Sequence, residues 1–227
     1  MHNTLFLSCK NILLSILSIL LLHPIGFAQH DFEKQYGVGM LVITYDSTFV
    51  LNLYATPNES DLVFNIRISH DTLDPSRPLI ANLTSDQKSW FHPETFWDEE
   101  RIMHFVTLDQ QHEWHKVIVD KTSGKMMWIL QSPQVKFFKW KDYLTNTTGV
   151  ERLTPSDNPV YKSIFPLKTL LDFKEQDCLK IVKVKGYWAK VRYNEEMCPH
   201  LNKYNSLPKG WIKWRNDKTM LIRYFLR

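Results

Sequence analysis

The sequence of 227 residues lacks the patterns that mark the common enzyme classes. It contains no His-Glu-x-x-His, no Gly-x-Ser-x-Gly, no phosphate loop and no dinucleotide fingerprint. Only 7 residues are glycine and 3 are cysteine, while 44% are hydrophobic and 23% charged. These proportions exclude a collagenous, low-complexity or disordered chain. We therefore expect a folded, aromatic-rich protein that is not an enzyme and needs no cofactor.

An uncharged apolar run occupies residues 11–22, after Lys10 and before the small-x-small triplet Gly26-Phe27-Ala28. This arrangement is typical of a secretory signal peptide with its cleavage site. The run is shorter than the roughly 20 residues that cross a bilayer as a helix. The pattern predicts a signal peptide over residues 1–28, a secreted or periplasmic protein, and no membrane span after its removal.

Charge is unevenly distributed along the chain. Residues 179–227 contain 12 Lys and Arg against 3 acidic residues, a balance of +9, whereas residues 29–178 sum to −6. Opposite signs suggest two domains, or one domain with a polarised surface. Cys178 and Cys198 lie beyond the leader, and an exported chain allows them to pair. We treat them as a candidate disulfide, worth about 3 kcal/mol by loop closure.

Short strands dominate the remaining pattern. Seven segments are rich in β-branched and aromatic residues and are separated by turn formers: 38–45, 49–54, 62–68, 101–108, 114–119, 126–130 and 135–140. Helical candidates are few and short, at 85–90, 139–144 and 167–173. Such a series predicts an all-β sandwich or barrel. The stretch 146–159 is rich in Asn, Thr, Ser, Gly and Pro, and within it we assign a linker to residues 146–156.

One motif occurs twice: Trp-x-Lys-Val, a turn, and then Trp-Ile, with a Tyr upstream. The first copy uses Tyr54, Trp114, Lys116 and Trp128, and the second uses Tyr161, Trp188, Lys190 and Trp211. The longer Tyr-to-Trp gap of the first copy predicts an insertion over 68–100. A strand period of two places Ala189, Val191 and Tyr193 inward, and Trp188, Lys190 and Arg192 outward. The first copy has Val117 and Val119 inward, with Trp114 and Lys116 outward.

Residues 157–227 resemble a bacterial SH3-like domain. The resemblance rests on Tyr161 with Pro166, a hydrophobic strand over 179–184, Gly186-Tyr-Trp188-Ala-Lys190-Val191, and Gly210-Trp211-Ile212. Residues 36–145 are a looser match, with Gln111-His112-Glu113 where the pattern has a Gly. The resemblance implies two tandem small SH3-like barrels, the first with a large insertion, that bind peptides or cell-wall material without catalysis.

Chemical alternatives are weaker. Cys178 is followed by a strand pattern, which argues against a catalytic nucleophile at a helix start. His112 and His115 have a spacing suited to metal ligands on a helix, but a strand puts them on opposite faces. We therefore interpret His104, His112 and His115 as scattered surface residues without a metal.

Ligand binding is the function we expect. Trp128, Trp211 and Phe225 suit a barrel core. The candidate ligand-binding residues are Tyr54, Trp114, Tyr161, Trp188, Lys190 and Arg192. Peptidoglycan, another glycan or a peptide fits these residues, and export argues against nucleic acid despite the basic, aromatic composition. The alternative is a structural or assembly protein that docks an acidic protein partner through its basic C-terminal domain; a solvated basic face without a partner also stays open.

Overall fold

The computed structural model describes residues 35–69, 80–81, 83–97, 99–165, 167–169, 178–194, 196–197 and 209–226. The strands of its first part are β1 (Gly39–Thr44), β2 (Val50–Tyr54), β3 (Leu62–Ser69), β4 (Ile80–Ala81), β5 (Thr95–Trp97), β6 (Ile102–Gln111), β7 (Trp114–Asp120), β8 (Lys125–Leu130) and β9 (Val135–Lys139). Those of its second part are β10 (Gly149–Arg152), β11 (Tyr161–Ile164), β12 (Leu167–Thr169), β13 (Leu179–Lys185), β14 (Trp188–Tyr193), β15 (Lys209–Lys213) and β16 (Ile222–Phe225). The helices are α1 (Ser85–Trp90) and α2 (Trp140–Asn146), and Glu59–Asp61 forms a 3-10 turn.

All seven strands predicted from the sequence are present within a few residues of their expected bounds. Helix α1 has the bounds predicted for it. It begins after Thr84, which forms a capping box with Gln87 in which each side chain accepts a hydrogen bond from the other residue's backbone N–H. Helix α2 overlaps the predicted 139–144. The third helical prediction is wrong where it can be checked, since Leu167–Thr169 pairs with β11 as a strand; residues 170–173 lie outside the described part.

The strands form two antiparallel sheets, which confirms the all-β class. The first sheet has the order β4-β3-β2-β8-β7-β6-β1-β9, with β5 also paired to β6, and the second has the order β12-β11-β15-β14-β13-β10-β16. Within the described ranges neither path returns to its first strand, so the sheets are open, and the closed barrels that we expected are not formed. In the first sheet, the edge strand β9 is followed directly by α2. The chain therefore leaves the sheet at β9 and, among the residues that the structure describes, adds no strand that would pair with the opposite edge.

The two sheets repeat one strand order. Reading from β3 to β9 in the first sheet and from β12 to β16 in the second gives the same seven strands in the same chain order. The additional elements β4, α1 and β5 lie between β3 and β6, where the predicted insertion over 68–100 falls. A register shift also recurs, opposite Lys116 and Val117 in one sheet and opposite Lys190 and Val191 in the other.

Two hydrophobic cores hold the sheets, and β1 contributes to both. Leu41 and Ile43 lie in the core of the first sheet, whereas Met40 lies in a second core with α2 and the inward residues of the second sheet. All three side chains are fully buried. The outer face of the first sheet therefore packs against the inner face of the second, with α2 between them. Trp140 of α2 fixes this junction by donating its indole N–H to the backbone oxygens of Tyr36 and Gly37, at 3.0 and 3.1 Å.

Two organisational predictions concern the ends of these units. Within the predicted linker 146–156, residues Gly149–Arg152 form β10, which pairs with both β13 and β16 inside the second sheet. The predicted signal peptide over 1–28 lies outside the described residues. In the part of the chain that the structure describes, no helix is long and apolar enough to cross a membrane.

Candidate functional site

The aromatic residues of the repeat form the same pair in both sheets. Tyr161 and Trp188 meet edge to face with ring centroids 5.3 Å apart. Tyr54 and Trp114 do the same at 4.9 Å. The Tyr is opposite the Trp of the Trp-Ile strand in each case, Tyr54 to Trp128 and Tyr161 to Trp211. The sequence repeat thus corresponds to one packed aromatic unit used twice.

Burial separates the two copies. Tyr161 and Trp188 are partly exposed, as are Lys190 and Arg192 on the same outward parity, while Ala189, Val191 and Tyr193 are buried as predicted. In the first sheet Trp114 and Lys116 are partly exposed and Val117 and Val119 are buried. Tyr54 is only 6% exposed. The partial exposure of its ring that this selection assumed is therefore not found, because Trp114 packs against it.

The outward side of the second sheet forms a continuous surface that we call the basic face. Its nine positions are Tyr161 on β11, Lys183 and Lys185 on β13, Trp188, Lys190 and Arg192 on β14, and Lys209, Trp211 and Lys213 on β15. Six of them are cations, three are aromatic and none is acidic. No side chain of the basic face is buried.

The first sheet provides an internal reference for this surface, because cross-strand pairs identify the equivalent positions. They are Tyr54, Asp109, Gln111, Trp114, Lys116, Ile118, Met126, Trp128 and Leu130. The three aromatic residues and one lysine are identical in the two sheets. The other five positions hold one acid, one amide and three apolar residues in the first sheet, and five cations in the second.

The cations of the basic face are all exposed or partly exposed. None of them forms an ion pair with a carboxylate of the described residues. Lys213 lies over the Trp188 ring, with Nζ 5.5 Å from its centroid, and Arg192 donates a long 3.4 Å hydrogen bond to the oxygen of Tyr193. Since the shared core covers the opposite side of these strands, the first sheet does not obstruct the face.

The histidines are not the surface set that we expected. His112 is exposed, but His104 and His115 are only 6% and 3% exposed. His115 is held between Gln110 and Gln131 at 3.1 and 2.7 Å, and burial lowers its pKa. His115 lies on the same face of its strand as Val117 and Val119, which were predicted to face inward, so the strand alternation in the sequence already indicated this burial. Among the described residues, no three His, Cys, Asp or Glu side chains group as metal ligands.

Cys178 is buried against Tyr193 and Met197 and is disulfide-bonded. Cys198 lies outside the described residues, so its pairing with Cys178 stays a prediction.

A polar cluster at the junction of the sheets was not predicted. His104 Nδ1 lies 2.7 Å from the hydroxyl of Tyr143 on α2, and Tyr224 on β16 donates to Glu94 at 2.9 Å. The rings of the two tyrosines meet edge to face at 5.7 Å. Burial lowers the pKa of His104 to about 4 and raises the pKa of both tyrosines. No local pattern indicates this cluster, because its members come from four separate elements.

The comparisons with known proteins add no family or relative: no family model, no curated protein and no solved structure matches this chain.

Proposed function

We propose that this chain is an exported, non-catalytic binding protein made of two tandem SH3-like units, and that the basic face of the second unit holds an extended anionic ligand. The ligand we favour is cell-wall material, either a glycan with acidic groups or a peptidoglycan peptide with free carboxylates. Support for SH3-like units comes from the two sheets, which repeat the motif, the strand order and the register shift.

The observation that carries the proposal is the difference between the two outward faces. Tyr, Trp, Trp and Lys occur at equivalent positions in both sheets, so they belong to the common framework of the unit. The five further cations occur only in the second sheet, where nothing in the framework requires them. Cations that are added to one copy and have no carboxylate partner among the described residues are suited to attracting an anion.

The shape of the face favours an extended ligand. Neighbouring strands of a sheet lie about 4.8 Å apart, and alternate residues along one strand lie about 6.6 Å apart. The cations are therefore spread over the surface of the sheet at these spacings and do not converge in a pocket. Trp188 and Tyr161 provide partly exposed rings beside these cations, against which the apolar side of a sugar or peptide can pack. A polymer with repeated negative groups contacts several cations at once.

Co-sedimentation with purified peptidoglycan, at low and at raised salt, tests the proposal. We expect retention at low salt that falls as salt screens the cations. Changing Lys183 and Lys185 together to Gln lowers the affinity about tenfold, at up to about 1 kcal/mol for each exposed contact. The matched control changes exposed Lys136 and Lys141 to Gln, which removes the same charge from other surfaces and leaves retention unchanged.

Four outcomes are informative. Absence of retention at low salt would remove the cell-wall ligand. Equal losses in the two double variants would mean that net charge, and not the basic face, governs binding. Retention that does not change with salt but is lost on changing Trp188 to Ala would assign the contact to the aromatic residues. If an acidic protein displaces this protein from peptidoglycan, the result would favour the alternative in which the basic face docks an acidic protein partner.

A further inference from the structure

A pocket of about 350 Å³ lies where the two sheets meet, beside the edge of the basic face, since its lining residue Lys180 is opposite Arg192. Its apolar lining includes Val42 and Phe138 from the first sheet and Leu226 beyond β16. His104, Tyr143 and Lys180 add polar groups from β6, α2 and β13. None of the candidate ligand-binding residues named from the sequence lines it. A pocket of this size with apolar walls and a few converging polar groups is typical of small-molecule sites.

The hydrogen-bond pattern fixes the proton on His104. Burial raises the pKa of Tyr143, so its phenol carries a proton at neutral pH. Among the described residues, the only hydrogen-bond partner of that hydroxyl is His104 Nδ1, at 2.7 Å. The arrangement that keeps the phenol proton paired has the hydroxyl donate to Nδ1, and the neutral imidazole then carries its hydrogen on Nε2.

That Nε2–H has no acceptor among the described residues. It is also not enclosed, since His104 lines the pocket and its ring nitrogens are absent from the fully buried, unpartnered atoms of the described part. Lys180 lines the same pocket and forms no ion pair with a described carboxylate. Glu196, the acidic residue of the lining, has an interaction partner of its own. The pocket thus offers one imidazole N–H donor and one ammonium group beside apolar walls, together with the polar residues Asn146, Thr147, Thr148 and Glu196 of its lining.

We propose that this junction pocket binds a small carboxylic acid with an apolar body, whose carboxylate accepts hydrogen bonds from His104 Nε2–H and Lys180. The apolar body contacts Val42, Phe138 and Leu226. A ligand without an acceptor leaves the His104 donor unpaired when the pocket loses its water, which is unfavourable. Lys180 lies opposite Arg192 of the basic face, so the two sites are neighbours, but they share no residue and either proposal can fail alone.

Isothermal titration calorimetry with octanoate tests the site on the chain without its leader. We expect saturable octanoate binding at one site. Octanol keeps the alkyl chain but lacks the carboxylate, and we expect it to bind at least about tenfold more weakly. His104→Phe removes the donor and lowers octanoate affinity about tenfold. Lys180→Met, at a partly exposed strand position that does not endanger folding, lowers octanoate affinity severalfold and leaves octanol unchanged. Lys190→Met removes a cation from the basic face and serves as the matched control, with no effect.

The readout separates loss of the site from loss of the fold. Near-UV circular dichroism reports whether His104→Phe keeps its packed aromatics, and if it does not, Lys180→Met alone decides. Equal affinity for octanoate and octanol, or an unchanged octanoate affinity in Lys180→Met, would overturn the assignment of the head group. Absence of saturable octanoate binding up to about 10 mM would overturn the site, because that concentration exceeds the Kd of even weak specific ligands.

Discussion

The turn before β7 makes a quantitative prediction, because the chain contains the same turn twice with different residues. His112 has φ 54° in the β6–β7 turn, and Gly186 has φ 56° in the equivalent β13–β14 turn. Each loop has two residues, with positive φ only at the first. This is the pattern of a type II′ hairpin, in which glycine is preferred at that position. His112 is therefore held in a backbone conformation that its β-carbon disfavours.

The expected effect of His112→Gly follows from two opposing terms. Releasing an L-residue from left-handed backbone gains about 1–2 kcal/mol, and the extra freedom of glycine in the unfolded chain opposes this by about 0.5–1 kcal/mol. The side chain of His112 is exposed, so its removal takes away little packing. We expect the free energy of unfolding to rise by about 0.5–1 kcal/mol. Gly186→Ala should lower it by about 1 kcal/mol through backbone conformation alone, since a β-carbon there meets no atom within 4 Å.

Urea unfolding followed by tryptophan fluorescence measures both changes, provided that the m-value stays constant. Glu113→Gly is the matched control, because Glu113 follows His112 in the same loop but does not have positive φ. Glycine there should lower the free energy of unfolding. A His112→Gly variant that is no more stable than the natural chain, or a Gly186→Ala variant that is not destabilised, would refute the reasoning.

Two further predictions concern the junction of the sheets. Burial lowers the pKa of His104 to about 4, below the value of about 6.5 for an exposed histidine. As pH falls, the unfolded chain therefore binds the extra proton before the folded chain does. The contribution of His104 to the free energy of unfolding, about 3 kcal/mol, is complete above about pH 6.5 and is lost as pH falls towards 4. In urea unfolding at several pH values, His104→Gln should flatten this dependence while His112→Gln should not, and an equal slope in all three proteins would contradict the assignment. Met40→Ala should lower the free energy of unfolding by about 2–5 kcal/mol, because Met40 is fully buried in the core that both sheets share. Near-UV and far-UV circular dichroism should report one coincident unfolding transition. Two separate transitions would show that the sheets unfold independently.

Local patterns predicted most strands of the first sheet but only part of the second, where β10 falls in the predicted linker and β12 in a predicted helix. The alternation in Trp188–Tyr193 and in Trp114–Asp120 gave the strands and their inward faces, because a strand period of two is a property of the backbone. The short helix predicted over 85–90 is present as α1, where Thr84 and Gln87 form a capping box. The Tyr-Trp contact was not itself predicted, but it recurs because equivalent residues in equivalent strands make equivalent contacts.

Packing between the sheets could not be predicted in this way. His104 has a position on β6 that a single sheet would leave facing outward, and it is buried only because α2 and the second sheet cover it. The pocket beside it depends on the same long-range packing. Tyr54 shows the opposite error, because its turn location suggested exposure while Trp114 lies against its ring.

The packing of one sheet on the other is head to tail. The outer face of the first sheet covers the inner face of the second, and such heterologous contacts can in principle continue into a filament when a further unit repeats the step. Ile118 and Met126, which border the second sheet across the junction, are equivalent to Arg192 and Lys209 on the basic face. Charge at those two positions disfavours the packing of a further apolar outer face on the second sheet, as polar outer faces do in terminal repeats of solenoid proteins. The kind of packing that joins the first sheet to the second is therefore not favoured on the basic face.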